Sequence, residues 1–175
     1  MTIKLLAISG SLRAVSSNTS LLRAAQLLAR PPLVVEIYDG LGALQHFNPD
    51  LDVEPLPAAV IDLRSRIKAA SGLLISSPEY ARGVAGVMKN ALDWMVSDLD
   101  FAGKPVALFN ASPRASHALA ALRLTLETMS AKVIDEASVT LPLLSPPRDA
   151  QGIAADSALA QPIQAALDAF ARAIR

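Results

Sequence analysis

Hydroxyl side chains are concentrated near the start of the chain, in the stretch SGSLRAVSSN from Ser9 to Asn18. It contains four serines and Arg13, and it leads into a run of leucine and alanine at helical spacing. Backbone amides at a helix start carry a partial positive charge that suits a phosphate, and hydroxyls and an arginine donate further hydrogen bonds. The stretch therefore predicts a phosphate site. Serines that only cap the helix are the structural alternative, although Ser17 or Asn18 would suffice for that.

Glycine spacing separates this stretch from the two common nucleotide-binding loops. The GxxxxGK[ST] pattern of the P-loop is absent, and so is the GxGxxG pattern of dinucleotide-binding folds. A dinucleotide bound in the Rossmann manner is therefore not expected.

A second candidate stretch, SPEYARGVAG over residues 77–86, follows a short apolar run. Its Tyr80 could pack against a flat ligand, and Gly83 and Gly86 would allow the backbone to approach that ligand closely. The structural alternative is a plain strand-to-helix turn in which Tyr80 covers the edge of the core.

The helix predicted after this stretch carries charged and aromatic residues for which structural roles are expected. Lys89 and Asp93 are four residues apart and predict a solvated ion pair. Trp94 is expected in the core or at a subunit interface.

The third candidate stretch is ASPRASH, residues 111–117. Ser112 and Ser116 could bond the edge of a ligand, and Arg114 could meet an anion. His117 lies near a predicted helix start and is expected to be structural rather than catalytic. No metal-ligand spacing, GxSxG pattern or HExxH pattern occurs in the sequence, so no metal site and no catalytic side chain are assigned.

The composition limits the chemistry further. The 175 residues include no cysteine, which excludes disulfides, thiolate metal sites and a cysteine nucleophile, so redox chemistry requires a bound cofactor. The 16 basic and 16 acidic residues balance, which argues against nucleic acid or a membrane surface as a partner. No apolar run reaches transmembrane length and the N-terminus lacks a signal-peptide layout, so a cytoplasmic location is expected.

The three candidate stretches must be positioned by the elements around them. Short apolar runs predict five strands, at 3–9, 33–38, 72–77, 105–111 and 132–141. Helical spacing predicts helices at 18–30, 57–70, 86–97 and 116–130 and a closing helix, with irregular segments at 39–56 and 142–152. This alternation favours a single α/β domain over residues 1–175, with a parallel sheet covered on both faces. Ligands bind at the carboxyl ends of such strands, so the three stretches are expected to meet in one site.

Two of these stretches resemble the NADPH-dependent FMN reductases of flavodoxin-like fold, a family that includes quinone, azo-dye and chromate reductases. The family's phosphate loop reads approximately GSLRxxSxN, and residues 10–18 match it at every specified position. Residues 78–94 match the second motif, approximately PEYNxSxPGxLKNAxDW, with its Asn, Ser, Pro and Leu replaced by Ala81, Gly83, Ala85 and Met88. The resemblance covers the five predicted strands and their loops and fades after about residue 141.

The resemblance implies a flavodoxin-like three-layer sandwich, with a five-stranded parallel sheet in the order 2-1-3-4-5 and helices on both faces. It implies FMN as the cofactor and NADPH or NADH as the electron donor, with the flavin carrying the chemistry. The first stretch would hold the FMN phosphate, and the second would line the ring opposite the third. The residues implied to bind FMN are Ser11, Arg13, Ser16, Ser17, Asn18, Pro78, Glu79, Tyr80, Ala81 and Ser112.

The resemblance also implies transfer of two electrons to a small acceptor: a quinone, a free flavin, an azo compound or a metal oxyanion. It implies a homodimer or homotetramer, with the segment 94–101 as the candidate contact. Arg82 and Arg114 are both candidates for attracting the phosphates of the nicotinamide cofactor. The sequence leaves open the physiological acceptor, the choice between NADH and NADPH, and whether FMN stays bound.

Two other classes of protein remain as alternatives. A flavodoxin-type electron carrier would bind FMN without reacting with NAD(P)H, but carriers need a charged docking face, which a net charge of zero does not favour. A non-enzymatic binding module would have kept the fold and lost the flavin, and the intact stretch around Arg13 argues against that class.

Overall fold

A computed structural model, which describes residues 2–143 and 148–174, shows helices on both faces of a parallel sheet. The strands are β1 (Ile3–Ser9), β2 (Leu33–Tyr38), β3 (Gly72–Ser76), β4 (Glu79–Tyr80), β5 (Gly83–Val84), β6 (Pro105–Asn110), β7 (Lys132–Val133) and β8 (Val139–Thr140). The helices are α1 (Ser17–Leu28), α2 (Ala58–Ala69), α3 (Gly86–Asp93), α4 (Ser116–Thr128), α5 (Ala150–Ala155) and α6 (Ser157–Ile174).

The main sheet has the order β2-β1-β3-β6-β7, and every pairing in it is parallel. This order confirms the flavodoxin-like α/β fold that the sequence predicted. The chain order reverses at β1, which lies between β2 and β3. Sheets of this kind bind ligands at the carboxyl ends of the strands beside such a reversal.

The fifth predicted strand, 132–141, is not continuous. A 3-10 turn at Asp135–Ala137 divides it into β7 and β8, and both halves pair with β6 in parallel. At the break, Ser138 Oγ accepts a hydrogen bond from Leu108 N–H at 3.0 Å and donates one to Ile134 O at 2.9 Å. A side chain thus replaces the backbone ladder there, which the apolar pattern could not reveal.

Two predicted boundaries also differ from the structure. Helix α3 ends at Asp93 rather than near residue 97, and the Trp94 carbonyl accepts a hydrogen bond from Arg64 Nη2 at 2.6 Å. In the segment 142–152, expected to be irregular, Ala150 begins the short helix α5, whose Gly152 N–H is capped by Asp149 Oδ1 at 2.7 Å. Pro146 and Pro147, part of the same expectation, lie outside the described residues.

The core is divided by the sheet into two apolar clusters. Alternate strand residues face opposite sides, so Leu5 and Ala7 belong to one cluster and Leu6 and Ile8 to the other. Helices α1, α5 and α6 cover the first cluster, and α2, α3 and α4 cover the second. Both faces of β1, β3 and β6 are therefore buried, which explains why these strands are nearly continuous apolar runs.

None of the helices in the described part of the chain is long and apolar enough to cross a membrane.

Candidate functional site

The loops that follow β1, β3 and β6 enclose a cleft of about 350 Å³. This volume falls within the range of pockets that hold small ligands and cofactors, about 300–1,000 Å³. The sequence stretches that begin at Ser9, Ser77 and Ala111 supply its walls. The cleft is lined by Ser11, Arg13, Ser16, Ser17, Asn18, Ser77, Pro78, Glu79, Tyr80, Asn110, Ala111, Ser112, Arg114 and Ala115.

Gly10 allows the first loop to lie directly against the second. Its N–H donates to Ser76 O at 2.7 Å. A Cβ atom at Gly10 would lie 2.7 Å from Ser77 Oγ and 3.1 Å from Met88 Cβ, which is too close for either neighbour to remain in place. Only glycine fits at this junction between the two loops.

The start of helix α1 combines a satisfied cap with free amides. Ser16 is the N-cap residue, and its Oγ accepts a hydrogen bond from Thr19 N–H at 3.3 Å. The capping alternative therefore holds for Ser16, whereas Ser17 Oγ donates to Leu143 O and Asn18 Oδ1 accepts from Ser76 Oγ. Within residues 2–143 and 148–174, no acceptor is present for the N–H groups of Ser17 and Asn18. These amides lie at the cleft, and the first turn carries no acidic residue, an arrangement that suits an anion.

Two arginines give the cleft positive charge. Arg13 and Arg114 are exposed and line the cleft, and neither side chain pairs with an acidic group in the part of the chain that is described. Glu79 is the one acidic residue among those that line the cleft. Its Oε2 atom accepts a hydrogen bond from Ala118 N–H at 2.8 Å, so its charge lies at the start of helix α4.

The second loop is a β-hairpin rather than a simple turn. Strands β4 and β5 pair in antiparallel fashion around Ala81 and Arg82, whose φ angles are 50° and 61°. Positive φ at both central residues is the geometry of a type I′ turn. Tyr80 lines the cleft and is 55% exposed as a residue, but the structure does not bring Ala81 to the cleft.

The sequence predicted that two glycines of the second loop would bring the backbone close to the ligand, and the structure does not place them at the cleft. Neither Gly83 nor Gly86 lines it, and a Cβ atom at Gly86 would meet nothing within 4 Å. The left-handed backbone that glycine usually supplies falls on the non-glycine residues Ala81 and Arg82 instead. The hairpin turn, not the glycines, determines the path of the chain.

The third loop is fixed by the side chain of Asn110. Asn110 Nδ2 donates to Ser112 O at 2.7 Å, and Asn110 Oδ1 accepts from Ser112 N–H at 3.3 Å. Ser112 Oγ accepts from Arg114 N–H at 3.2 Å. Both Asn110 and Ser112 are buried, so Ser112 has a defined orientation at the cleft, whereas Ser116 and His117 are exposed and outside it.

Several residues at the cleft were not predicted from the sequence as ligand-binding: Ser77, Asn110, Ala111 and Ala115. Asn110 had a recognisable signal, because it is a polar residue at the end of the buried apolar strand PVALFN. The others are small residues, serine or alanine, whose type gives little indication of a binding role.

The second half of the motif at 78–94 holds a distant segment instead of lining the cleft. Asn90 Oδ1 accepts from Phe47 N–H at 2.8 Å, and both Asn90 Nδ2 and Trp94 Nε1 donate to Gln45 O. These bonds tie the irregular segment 39–56 to helix α3. Trp94 is fully buried and packs edge-on against Phe47, which confirms its place in the core.

Two further expectations concern charged groups. Lys89 Nζ and Asp93 Oδ1 are 2.5 Å apart in the exposed ion pair that their spacing predicted. Among the described residues, no group of three or more histidine, aspartate or glutamate side chains could hold a metal ion.

Comparisons with known proteins agree with this architecture. A sequence model of the NADPH-dependent FMN reductases matches residues 3–143. An NAD(P)H-dependent FMN reductase of Pseudomonas aeruginosa is 35% identical over 173 residues, covering 96% of this chain and 93% of that protein. A 2-hydroxy-1,4-benzoquinone reductase of a Burkholderia species is 36% identical over 115 residues, covering 64% of this chain and 62% of that protein. Among solved structures, FerB of Paracoccus denitrificans, a flavoenzyme NAD(P)H:acceptor oxidoreductase, superposes with a TM-score of 0.79 at 30% identity, covering 99% of this chain and 97% of that chain.

Proposed function

The chain belongs to the NADPH-dependent FMN reductase family, and we propose that its cleft binds FMN and passes electrons from NAD(P)H to a small acceptor. Membership of this family makes the protein an oxidoreductase with FMN as its cofactor and a nicotinamide nucleotide as its donor. One observation carries the assignment to this cleft: among the described residues, the first amides of α1 have no acceptor and Arg13 has no acidic partner, and both lie at the same cleft as the exposed residue Tyr80.

The phosphate of FMN fits the end of the cleft formed by the first loop. The amides of Ser17 and Asn18 would donate to its oxygens, Ser11 would add a hydroxyl, and Arg13 would supply a charge-assisted bond. Ser16 would act indirectly, because its Oγ already caps the helix that presents these amides.

The ring of FMN fits between the second and third loops. Pro78, Glu79 and Tyr80 would form one wall and Ser112 the facing contact. Bound there, FMN would supply the redox chemistry that links a nicotinamide hydride donor to a two-electron acceptor. The protein orients the rings and keeps positive charge close by, and a site with few titratable groups is sufficient for that role.

Arg114 is the better candidate for contacting the phosphates of the nicotinamide nucleotide. It lines the cleft, whereas Arg82 lies at the tip of the hairpin and outside the lining. Both are exposed cations, so Arg82 provides a matched control for the effect of removing a positive charge near the site.

The acceptor class follows from the kinds of relatives. One related protein is named an FMN reductase and another a 2-hydroxy-1,4-benzoquinone reductase, so a free flavin or a quinone is the acceptor we propose. Azo compounds and metal oxyanions are further substrates to assay. We also propose a cytoplasmic enzyme with one domain over residues 1–175.

A homodimer or homotetramer completes the proposal, with the segment 94–101 as the contact. Trp94 and Phe101 are in the core, but the residues Val96 and Leu99 between them are 68% and 90% exposed. A subunit contact would remove this apolar surface from water. Sedimentation analysis of the protein and of a Val96→Ser/Leu99→Ser variant tests the contact.

An anaerobic absorbance titration tests the proposed function. The purified protein is loaded with FMN, separated from free FMN, and titrated first with NADPH and then with NADH. Bleaching by one equivalent of nucleotide per flavin, followed by reoxidation with a quinone, is the expected result. Bound flavin that neither nucleotide bleaches would instead indicate an electron carrier, and failure to bind flavin would remove the proposed site.

A further inference from the structure

Helix α4 is capped by a residue from a different loop. Its own N-cap residue, Ala115, has no side chain able to accept a hydrogen bond from the first helical amides. Glu79 Oε2 accepts instead from Ala118 N–H, the third residue of the helix, at 2.8 Å. Glu79 belongs to β4 of the hairpin, so a single carboxylate links the hairpin to the start of α4.

We propose that Glu79 is a positioning residue, whose carboxylate holds the two walls of the cleft at the separation that the FMN ring requires. One wall is the hairpin with Tyr80, and the other is the loop with Ser112, which leads directly into α4. The inference rests on the proposed function, because the ring is the ligand whose fit the separation would control. It assigns a role to the side chain of Glu79 that contact through its backbone does not provide.

The hairpin needs such a tether because it has little structure of its own. Strands β4 and β5 contain two residues each, and an isolated two-stranded hairpin is at best marginally stable in water. Within the described residues, the bond from Glu79 to Ala118 is the only side-chain hydrogen bond between residues 77–84 and 110–118. This bond therefore adds a polar link between the walls to the packing of β4 and β5 against α4.

Packing beneath the bond is incomplete. A cavity of about 10 Å³ lies where the ends of β3 and β6 meet α4, with Ser77, Asn110 and Ala118 among its lining residues. Side chains that border a void lose dispersion contacts on that side. The packing around Ala118 is therefore not complete, and the hydrogen bond to its N–H adds a polar link at that point.

The charge of Glu79 and its hydrogen bond can be separated by substitution. A glutamine keeps an oxygen at the same distance from the backbone and can accept from Ala118 N–H, but it is neutral. An aspartate keeps the charge but is one methylene shorter, so it cannot reach from the same backbone position. If position is what matters, Glu79→Gln retains function and Glu79→Asp does not.

The test measures FMN affinity by fluorescence titration, kcat and KM with a quinone, and hydrogen exchange of the Ala118 amide. We expect Glu79→Ala and Glu79→Asp to raise the Kd for FMN about tenfold, in line with loss of one hydrogen bond to a charged group, and to speed exchange at Ala118. Glu79→Gln should stay within about threefold of the wild type in affinity. Glu127→Ala, which removes an exposed glutamate paired with Arg123 on the same helix, is the matched control and should leave the Kd for FMN, the kinetic constants and exchange at Ala118 unchanged.

Several results would overturn the inference. Faster exchange at Ala118 with unchanged FMN affinity and unchanged KM would show a merely structural bond. Unchanged exchange in Glu79→Ala would show that the bond is not made in solution, and a Glu79→Gln variant that is impaired while Glu79→Asp is not would assign the effect to charge. A wild-type protein that binds no FMN contradicts the proposed function itself, and the Ala118 exchange rates still report the bond separately. Glu79→Gln and Glu79→Asp both keep a polar side chain, so these two variants can still be compared if Glu79→Ala does not fold.

Discussion

Asn18 Oδ1 accepts a buried hydrogen bond from Ser76 Oγ at 2.9 Å, which joins the first turn of helix α1 to the end of β3. The two residues belong to different walls of the site, since Ser76 directly precedes the second loop. This bond uses the carbonyl oxygen of the Asn18 amide and leaves its NH₂ group as the donor available to a ligand. Asn18 therefore serves the architecture of the site as well as its binding capacity.

Replacing Asn18 with alanine should destabilise the fold by about 1–3 kcal/mol, because the buried Ser76 hydroxyl loses its partner. Removing both partners in Asn18→Ala/Ser76→Ala should recover part of that loss, since no donor is then left unsatisfied. Urea unfolding of the wild type, the two single variants and the double variant measures the coupling. Strictly additive effects would contradict a direct interaction between the two side chains.

Arg13→Ala should weaken FMN binding about 10- to 100-fold, the loss expected for a hydrogen bond between two charged groups. Raising the salt concentration should reduce the difference, because the interaction is electrostatic and lies at the surface. Arg23→Ala is the control, since Arg23 is an exposed cation on helix α1 outside the cleft lining. Equal effects of the two substitutions would indicate a general charge effect and argue against a phosphate contact at Arg13.

Arg114→Ala should raise KM for the nicotinamide donor about tenfold with little change in kcat, because a binding contact distant from the reacting atoms is lost. Arg82→Ala should leave KM nearly unchanged, since Arg82 does not line the cleft. Steady-state kinetics with NADPH and NADH, at saturating quinone, separate the two variants. If neither substitution alters the dependence on the nucleotide, the donor's phosphates bind elsewhere.

Ala81→Gly should stabilise the protein by up to about 1 kcal/mol, because left-handed backbone costs an L-residue roughly 1–2 kcal/mol and glycine avoids that cost. The φ angle of Ala81 is 50°, and its side chain makes no part of the cleft. The same substitution at the exposed helical residue Ala120 should destabilise by about 0.5–1 kcal/mol. Thermal unfolding of both variants compares the signs, and destabilisation by both would contradict the strained turn.

Asp52 anchors the segment 39–56 to Arg64 and Ser97, and acid should weaken this anchoring. The Ser97 hydroxyl and the Arg64 guanidinium lower the pKa of the Asp52 carboxyl below its ordinary value of 3.8. A lowered folded pKa contributes stability that is complete above the unfolded pKa and is lost as the pH falls through the folded one. The difference in melting temperature between wild type and Asp52→Asn should therefore be complete at neutral pH, begin to shrink as the pH falls below about 4, and vanish only below the lowered folded pKa. A difference that stays constant from pH 7 to pH 3 would show that the Asp52 charge has no part in the anchoring.

The sequence was most informative where local pattern and tertiary structure agree. The apolar runs at β1, β3 and β6 predicted a parallel sheet covered on both faces, because strands buried on both faces need apolar residues at nearly every position, and the family resemblance supplied its strand order. The stretch around Arg13 predicted the helix start that now lies at the cleft.

Contacts between distant residues were not predictable in the same way. Glu79 meets Ala118 and Asn90 meets Gln45 across separations of 39 and 45 residues, and nothing local at either position specifies the partner. The break in the fifth strand depends on hydrogen bonds of the Ser138 side chain, and the hairpin turn places positive φ at Ala81, where alanine gives no signal. The long-range bonds, the break at Ser138 and the turn at Ala81 all depend on which distant segments meet, and the local sequence does not specify that.

The reversal of strand order at β1 creates the crevice of the site independently of the loop sequences. Helix α1 leaves the sheet toward one face and α2 returns along the other, so a crevice exists at the strand ends whichever residues occupy the loops. The two apolar clusters below contribute little to its walls. Substrate preference can thus diverge by exchange of the hairpin at residues 77–84 while the scaffold is conserved, which makes that segment the natural unit for grafting a new acceptor specificity.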